Sequence, residues 1–272
     1  GFDLLGKTDH LYPSLTSYVG NPLVNLTIMG LIVTGGIGFL TWDDIYTKKY
    51  HFRQYCMQSK VILLTSLFLI FVPAAFFFFR DFAGMPVKER TLCALFQSVT
   101  TRTAGFDALI QNNLTDLSKA WGTVLMMIGG ASGSTAGGVK LGTVVLVIMT
   151  LISVLRGKSD VVIHGRRIAH TTILHAMALL VLWLVLVVGG SVLISYIDNQ
   201  DLINSIYEVA SAYSTVGLSV GVSGSASTFT KILLIVYMFF GRVGIMTISV
   251  VFMTRIRKTN DIRYPECNFI VG

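Results

Sequence analysis

The stretch Ser98-Val99-Thr100-Thr101-Arg102-Thr103-Ala104-Gly105-Phe106-Asp107 closes one short apolar segment, residues 90–101, and Ser214-Thr215-Val216-Gly217 closes a second, residues 202–213. Neither segment reaches the roughly 20 apolar residues that a hydrocarbon core of about 30 Å demands. Each therefore reads as a half-helix that enters apolar surroundings and turns back. Irregular backbone at that depth survives only when it is buried in protein or lines a watery cavity, so the paired Thr-x-Gly endings point to a pore or a binding site.

Apolar runs flank both half-helices. Spans are expected over residues 24–41, 61–79, 117–155, 172–196 and 229–253. Lys48, Lys49, Arg53 and Lys60 follow the first span, Arg156, Lys158, Arg166 and Arg167 follow the third, and Arg255, Arg257 and Lys258 follow the last. Basic loops mark the cytoplasmic face, so a multi-pass protein with a cytoplasmic C-terminus is expected. Asp198 and Asp201, and the mixed-sign stretch from Arg80 to Arg90, then face outward.

The unit repeats as span, half-helix, Thr-x-Gly, span. Gly1-Phe2-Asp3 matches Gly105-Phe106-Asp107, so the chain is expected to open inside an earlier copy whose first span and half-helix are missing. The spans after the loops also align, Gly35-Gly36-Ile37-Gly38-Phe39-Leu40-Thr41 with Gly241-Arg242-Val243-Gly244-Ile245-Met246-Thr247. The fold class that follows is an all-α integral membrane protein: repeated helix, pore half-helix, filter-loop and helix units around a central pore, like that of a potassium channel.

A cation that leaves water needs oxygen ligands, and backbone carbonyls supply them where the chain runs extended beyond a half-helix. Glycine permits such a path and keeps side chains out of it, while a neighbouring Thr adds a hydroxyl oxygen. This reasoning makes Gly1, Thr103, Ala104, Gly105, Thr215, Val216 and Gly217 the expected ion-binding residues. Asp3 and Asp107 are placed near the outer mouth, where they would raise the local cation concentration.

The span over residues 117–155 is too long for one crossing at 1.5 Å per residue. Its interruption is Gly129, Gly130, Ala131, Ser132, Gly133, Ser134, Thr135, Ala136, Gly137 and Gly138, followed by Val139 and Lys140. Five glycines with Ser and Thr disfavour continuous helix and leave a flexible loop at mid-membrane, one able to obstruct a pore and move aside. It is no nucleotide P-loop, since no Gly-Lys-Ser/Thr closes it and no strand precedes it. Tight helix packing by small residues is the competing account. Arg242 lies inside the last span, where a charge marks a pathway by default. Below a cation filter it would act as an electrostatic barrier against overly tight binding; pairing with a carboxylate for assembly is the alternative. Lys140 has either a pore role or a snorkelling one. His164, His170 and His175 read as residues of the basic loop.

Composition sets the solvent: 53% of residues are hydrophobic and 13% charged, with a mean hydropathy of +0.70, beyond what soluble domains usually carry. The formal charge of +7 sits mainly in orienting loops, so no nucleic-acid partner is expected. Cys56, Cys93 and Cys267 have no metal spacing and no disulfide arithmetic. The sequence opens without a secretory leader pattern, and the Asn-Leu-Thr sequons at Asn25 and Asn113 carry little weight. No span holds paired carboxylates, a His cluster or a Ser beside a base, so no enzyme is expected. The competing function is a secondary transporter of another cation or small solute by alternating access, which also uses broken helices at midplane.

The stretch 98–106, the loop 129–140, Ser214-Thr215-Val216-Gly217-Leu218-Ser219 and Phe240-Gly241-Arg242-Val243-Gly244 together resemble the Trk/Ktr/HKT superfamily of potassium transporters. The ending from Arg263-Tyr264-Pro265-Glu266 to Ile270-Val271-Gly272 looks most like the KtrB membrane-subunit type. That resemblance covers essentially the whole chain. It implies four joined repeats around one filter, of which this chain would hold the end of repeat two (1–59), repeat three with its broken inner helix (60–170), repeat four (171–254) and a cytoplasmic tail (255–272).

It further implies potassium uptake across the plasma membrane, filter glycines at Gly1, Gly105 and Gly217, a gating loop at Gly129, Gly130, Ser132, Gly133, Ser134, Thr135, Gly137, Gly138 and Lys140, and a pore-facing Arg242. Membrane lipid, a homodimer and a cytosolic nucleotide-binding regulatory subunit are the implied partners, with potassium as the transported ion, sodium as a modulator and no organic cofactor. One Gly per filter, in place of the longer Thr-Val-Gly-Tyr-Gly of simple potassium channels, implies that some sodium passes.

Overall fold

In the computed structural model, residues 14–158, 160–163 and 165–244 are described. Helix α1 (Pro22–Gly36) starts at Asn21, whose side chain accepts from the amides of Leu23 and Val24 at 3.1 and 3.4 Å, with Pro22 in the first turn where its missing N–H does no harm. Asn25 is buried and donates to the carbonyls of Tyr18 and Asn21, each at 2.8 Å, so that sequon serves as a helix-start brace. Helix α2 (Phe39–Lys48) follows at 97° to α1. The continuous span expected over 24–41 is therefore a bent pair. The bend sits at Gly38, whose φ of +81° only glycine adopts cheaply.

Helix α3 (Met57–Arg80) is a full span, and α4 (Val87–Thr100) is the half-helix packed along it. Pro73 inside α3 cannot donate to the carbonyl four residues back. Ser98 of α4, fully buried, points its hydroxyl at the carbonyls of Leu69 and Ile70 at 2.9 and 2.7 Å. The proline thus opens an acceptor in α3 and the half-helix fills it, which sets their mutual height. Arg90 fixes the other end of α4, donating to the Phe78 carbonyl at 2.8 Å with its guanidinium 4.0 Å over the Phe78 ring.

The long run over 117–155 divides as expected into α5 (Asp116–Met127) and α6 (Leu141–Leu155). Where a plain basic loop was expected after α6, β1 (Val162–Ile163) pairs antiparallel with β2 (Arg166–Arg167). Helix α7 (His170–Asp198) is the second full span, and α8 (Leu202–Tyr213) the second half-helix, packed on α7, α5 and α10. After the short α9 (Val222–Ser225), α10 (Thr228–Val243) ends at Gly244, φ +82°. The helix expected over 229–253 therefore stops at Val243 among the described residues; 245–253 and the tail lie outside them.

Gly38 and Gly244 occupy the aligned positions read from sequence and break their helices with nearly the same φ. Leu64, Leu67, Phe68 and Phe71 on α3, and Val181, Leu184, Val185, Val188 and Val192 on α7, face outward exposed. Such stripes are unfit for water and suited to hydrocarbon, and the chain is an all-α integral membrane protein. The buried side chains instead gather around the half-helices: Phe77, Cys93 and Leu125 near α4, and Tyr207, Trp183 and Val216 near α8.

Candidate functional site

Both half-helices end in the same backbone device. Thr103 and Thr215 take left-handed φ values of +63° and +54°, and Gly105 and Gly217 follow at +74° and +97°. For a β-branched residue that conformation costs on the order of 1–3 kcal/mol, and it persists only where the surroundings impose it, commonly at ligand sites. The amides are turned back onto the helix ends. Ala104 donates to the Thr100 carbonyl at 3.2 Å, and Val216 to the Ser211 carbonyl at 2.9 Å. The amide of Gly217 donates to Ser211 Oγ at 3.1 Å. With these N–H groups so occupied, no donor among the described residues takes the carbonyl oxygens of Thr103 to Gly105 or Thr215 to Gly217.

The loops of the two units touch. A Cβ built on Gly105 would overlap the Val216 carbonyl oxygen and lie 3.1 Å from Gly217 Cα. Thr103, Ala104, Thr215, Val216 and Gly217 line one cavity of about 420 Å³, which Arg242 also borders. The C-terminal ends of α4 and α8, each carrying a partial negative charge of about half an electron, stop at these loops and favour a cation there. Gly1 and Asp3 lie outside the described residues. Asp107 is half-buried, and its carboxylate accepts from Gln111 Nε2 at 2.9 Å.

The glycine-rich segment between α5 and α6 is not slack, as its composition suggested. Ile128 and Val139 form a bridge, with Gly129 donating to the Val139 carbonyl at 2.9 Å and Val139 to Met127 at 3.2 Å. Ala131 donates to Gly36 at 2.9 Å, and Leu141 to Gly130 at 3.0 Å. Ser134 Oγ donates to the Ala131 carbonyl at 2.6 Å and closes the tip. The amide of Phe39 donates to Gly133 at 3.1 Å, which seats the α1–α2 bend against the loop.

This loop lies against the second Thr-x-Gly. A Cβ on Gly137 would overlap Thr215 Oγ1 and come within 2.9 Å of the Ser214 carbonyl, so only glycine fits that approach. Arg242 Nη1 donates to the Thr135 carbonyl, tying the last turn of α10 to the loop. Ser132, Gly133 and Gly138 complete it. Lys140 folds its Nζ back onto the Ala136 carbonyl at 2.6 Å, four residues earlier. Histidine placement also differs from the loop reading, since His175 lies within α7 and borders an apolar cavity, while His164 is outside the described residues.

Sequence reasoning missed Glu208 and Arg102. Glu208, in α8, is fully buried and accepts from Ser219 Oγ at 2.6 Å, Val220 N at 3.1 Å and Ser223 N at 3.0 Å, and also from Ser223 Oγ. It staples the segment leaving Gly217 onto the half-helix. A carboxylate in an apolar membrane segment was the signal that could have found it. Arg102 precedes Thr103 and borders a second cavity, of about 290 Å³, shared with Thr103, Ala104, Thr135 and Ala136. Behind both loops Gln97, Gln111 and Tyr207 form a buried chain, Gln97 Nε2 and Tyr207 Oη each 2.8 Å from Gln111 Oε1. Among the described residues no cluster of His, Cys, Asp or Glu is arranged to hold a metal ion.

A family model described as "TrkH: Cation transport protein" matches residues 1–261. The chain is 34% identical over 269 residues to the Ktr system potassium uptake protein B of Bacillus subtilis (strain 168), covering 96% of this chain and 60% of that protein. It is 31% identical over 283 residues to the potassium/sodium uptake protein NtpJ of Enterococcus hirae, covering 100% of this chain and 61% of that one. The crystal structure of the potassium transporter TrkH from Vibrio parahaemolyticus superimposes with a TM-score of 0.74 at 18% identity, over 91% of this chain and 55% of its own, a likeness of fold. The chain spans about 60% of the length of the curated relatives it matches.

Proposed function

Because this chain belongs to the TrkH family of cation transport proteins, we propose that it forms part of a potassium uptake pathway through the cell membrane, with Thr103 to Gly105 and Thr215 to Gly217 as two walls of its filter. The observation that carries this reading is the matched left-handed Thr-x-Gly backbone at the ends of two half-helices, in contact at Gly105 and Val216. Strain repeated at equivalent places, with carbonyls that no described residue takes and helix C-termini converging, suits a partly dehydrated cation. Gly1 would supply a third wall.

In this reading residues 60–170 and 171–254 are successive repeats, 1–59 ends an earlier one, and 255–272 is a cytoplasmic tail. The loop 129–138 is a gate lodged under the filter against Thr215, and Arg242 both holds it through Thr135 and places a positive charge in the cavity that the filter borders. Opening then requires that the Arg242 contact break and the loop withdraw. Sodium as a passing or modulating ion, a homodimer, and a cytosolic nucleotide-binding subunit acting on the basic face complete the proposal.

Rubidium uptake into a cell deficient in potassium uptake tests it, using the full chain as the cell makes it. Wild type should restore uptake. Deletion of residues 133–137, or Arg242→Ala, should raise flux several-fold at matched expression, because a barrier of about 1.4 kcal/mol corresponds to tenfold in rate. Lower or unchanged flux in a folded variant rejects the gate. Saturable, coupled uptake with no measurable current would instead support an alternating-access carrier.

A further inference from the structure

The two basic loops expected on one face come together in a single pocket. Lys48 at the end of α2, Arg53 in the segment after it, Lys60 in the first turn of α3 and Arg166 of β2 line a cavity of about 490 Å³. Orientation by positive charge requires cations on one face, but not gathered around one hollow. Among the described residues, Asp44 binds Lys48 at 2.5 Å and Asp160 binds Arg167 at 2.9 Å; Arg53, Lys60 and Arg166 have no carboxylate partner there. The pocket is also built. Asp44 accepts from the amide of Cys56 at 2.9 Å, which pins the start of α3 to α2, and Lys60 Nζ is held at the Arg53 carbonyl at 2.6 Å.

An apolar slot of about 330 Å³ adjoins it between α3, α6, α7 and the β1–β2 hairpin, lined by Val61, Ile62, Leu146, Ile163 and Ala176. Met57 borders both hollows, and Ser132 of the glycine-rich loop lies on the wall of the slot. We propose that the pair is a binding site for one anionic phospholipid, its phosphate among Lys48, Arg53, Lys60 and Arg166 and one acyl chain in the slot. Basic pockets between spanning helices take anionic headgroups, and this slot is within the roughly 300–1,000 Å³ typical of ligand sites. A soluble phosphate would leave the apolar slot unfilled. A zwitterionic lipid would bring its own ammonium to three cations that have no carboxylate partner among the described residues. The proposal goes beyond the transport reading and does not depend on the ion carried.

Native mass spectrometry of the full chain as the cell makes it, titrated in detergent with phosphatidylglycerol or with phosphatidylcholine of the same acyl chains, tests the site. Phosphatidylglycerol should be retained at least tenfold more. Arg53→Gln with Lys60→Gln should weaken it roughly 25-fold, at about fivefold per juxtamembrane charge. A Cβ at Gly142, which lines the slot, meets nothing within 4 Å, so Gly142→Phe can fill it from α6 and should also displace the lipid. Equal retention of the two lipids, or an unchanged affinity in the double variant, overturns the proposal and leaves the pocket to another occupant such as a cytosolic protein surface. Displacement by glycerol phosphate at comparable concentration, with Gly142→Phe silent, would make it a free-phosphate site and overturn it equally.

Discussion

Gly105→Ala is expected to reduce the preference for potassium over sodium by tenfold or more, with the protein still inserted in the membrane. The new methyl group would occupy the place of the Val216 carbonyl oxygen, with the Val216 carbonyl carbon at 3.0 Å and Gly217 Cα at 3.1 Å behind it. All of these are backbone atoms, so no side chain can swing away. The φ of +74° adds a penalty of about 1–2 kcal/mol for any residue with a Cβ. The two loops must part, and the carbonyl that moves is one of those proposed to face the ion. A tenfold change in preference needs only about 1.4 kcal/mol of differential binding, less than the strain introduced. Rubidium uptake in competition with sodium reads it out, with Gly189→Ala as a control because that glycine of α7 has open space around its Cβ. A ratio unchanged from wild type would remove Gly105 from the filter.

Glu208→Ala should lower the apparent melting temperature in detergent by about 6–12 °C and abolish uptake, the second large effect. Removal of the carboxylate strands the amides of Val220 and Ser223 and the hydroxyls of Ser219 and Ser223. Each buried donor left without a partner costs about 1–3 kcal/mol, and part of that returns because a buried carboxylate no longer has to be desolvated. A net loss of about 3 kcal/mol, at some 2–4 °C per kcal/mol for a chain of this size, gives the stated shift. Glu208→Gln keeps one acceptor oxygen and should fall between the two. A Glu208→Ala protein that melts with wild type would show that the segment after Gly217 is held by its apolar packing through Leu218, Val220 and Val222 instead.

Much of this architecture was legible locally. The half-helix over residues 202–213 agrees with α8 at both ends, and the interruption of the run over 117–155 falls where glycines crowd. Both follow from neighbouring residues alone: hydropathy decides what can enter lipid, and glycine decides where a helix will not continue. The shared Thr-x-Gly ending likewise led to the residues that meet at the site, whereas the alignment that pairs Gly38 with Gly244 was read as two matching continuous spans and gave no sign that both helices break there.

Tertiary structure decided the rest, because it depends on groups brought together from distant parts of the chain. The 97° turn between α1 and α2 was hidden in a run apolar on both sides of Gly38, and it is the Gly133 carbonyl, far along the chain, that seats Phe39. Pro73 reads as a defect until Ser98 arrives at the carbonyls of Leu69 and Ile70. Arg242 was legible as a charge with a purpose, but its partner, a backbone carbonyl of Thr135, carries no side-chain signature at all. Glu208 reads alone as an expensive charge, and becomes a brace only when four donors fold over it. Sequence determined which segments enter the membrane and which glycines interrupt them; packing alone determined which carbonyl, hydroxyl or carboxylate each interruption would meet, since hydrogen-bond partners are set by proximity in space, which hydropathy and spacing do not encode.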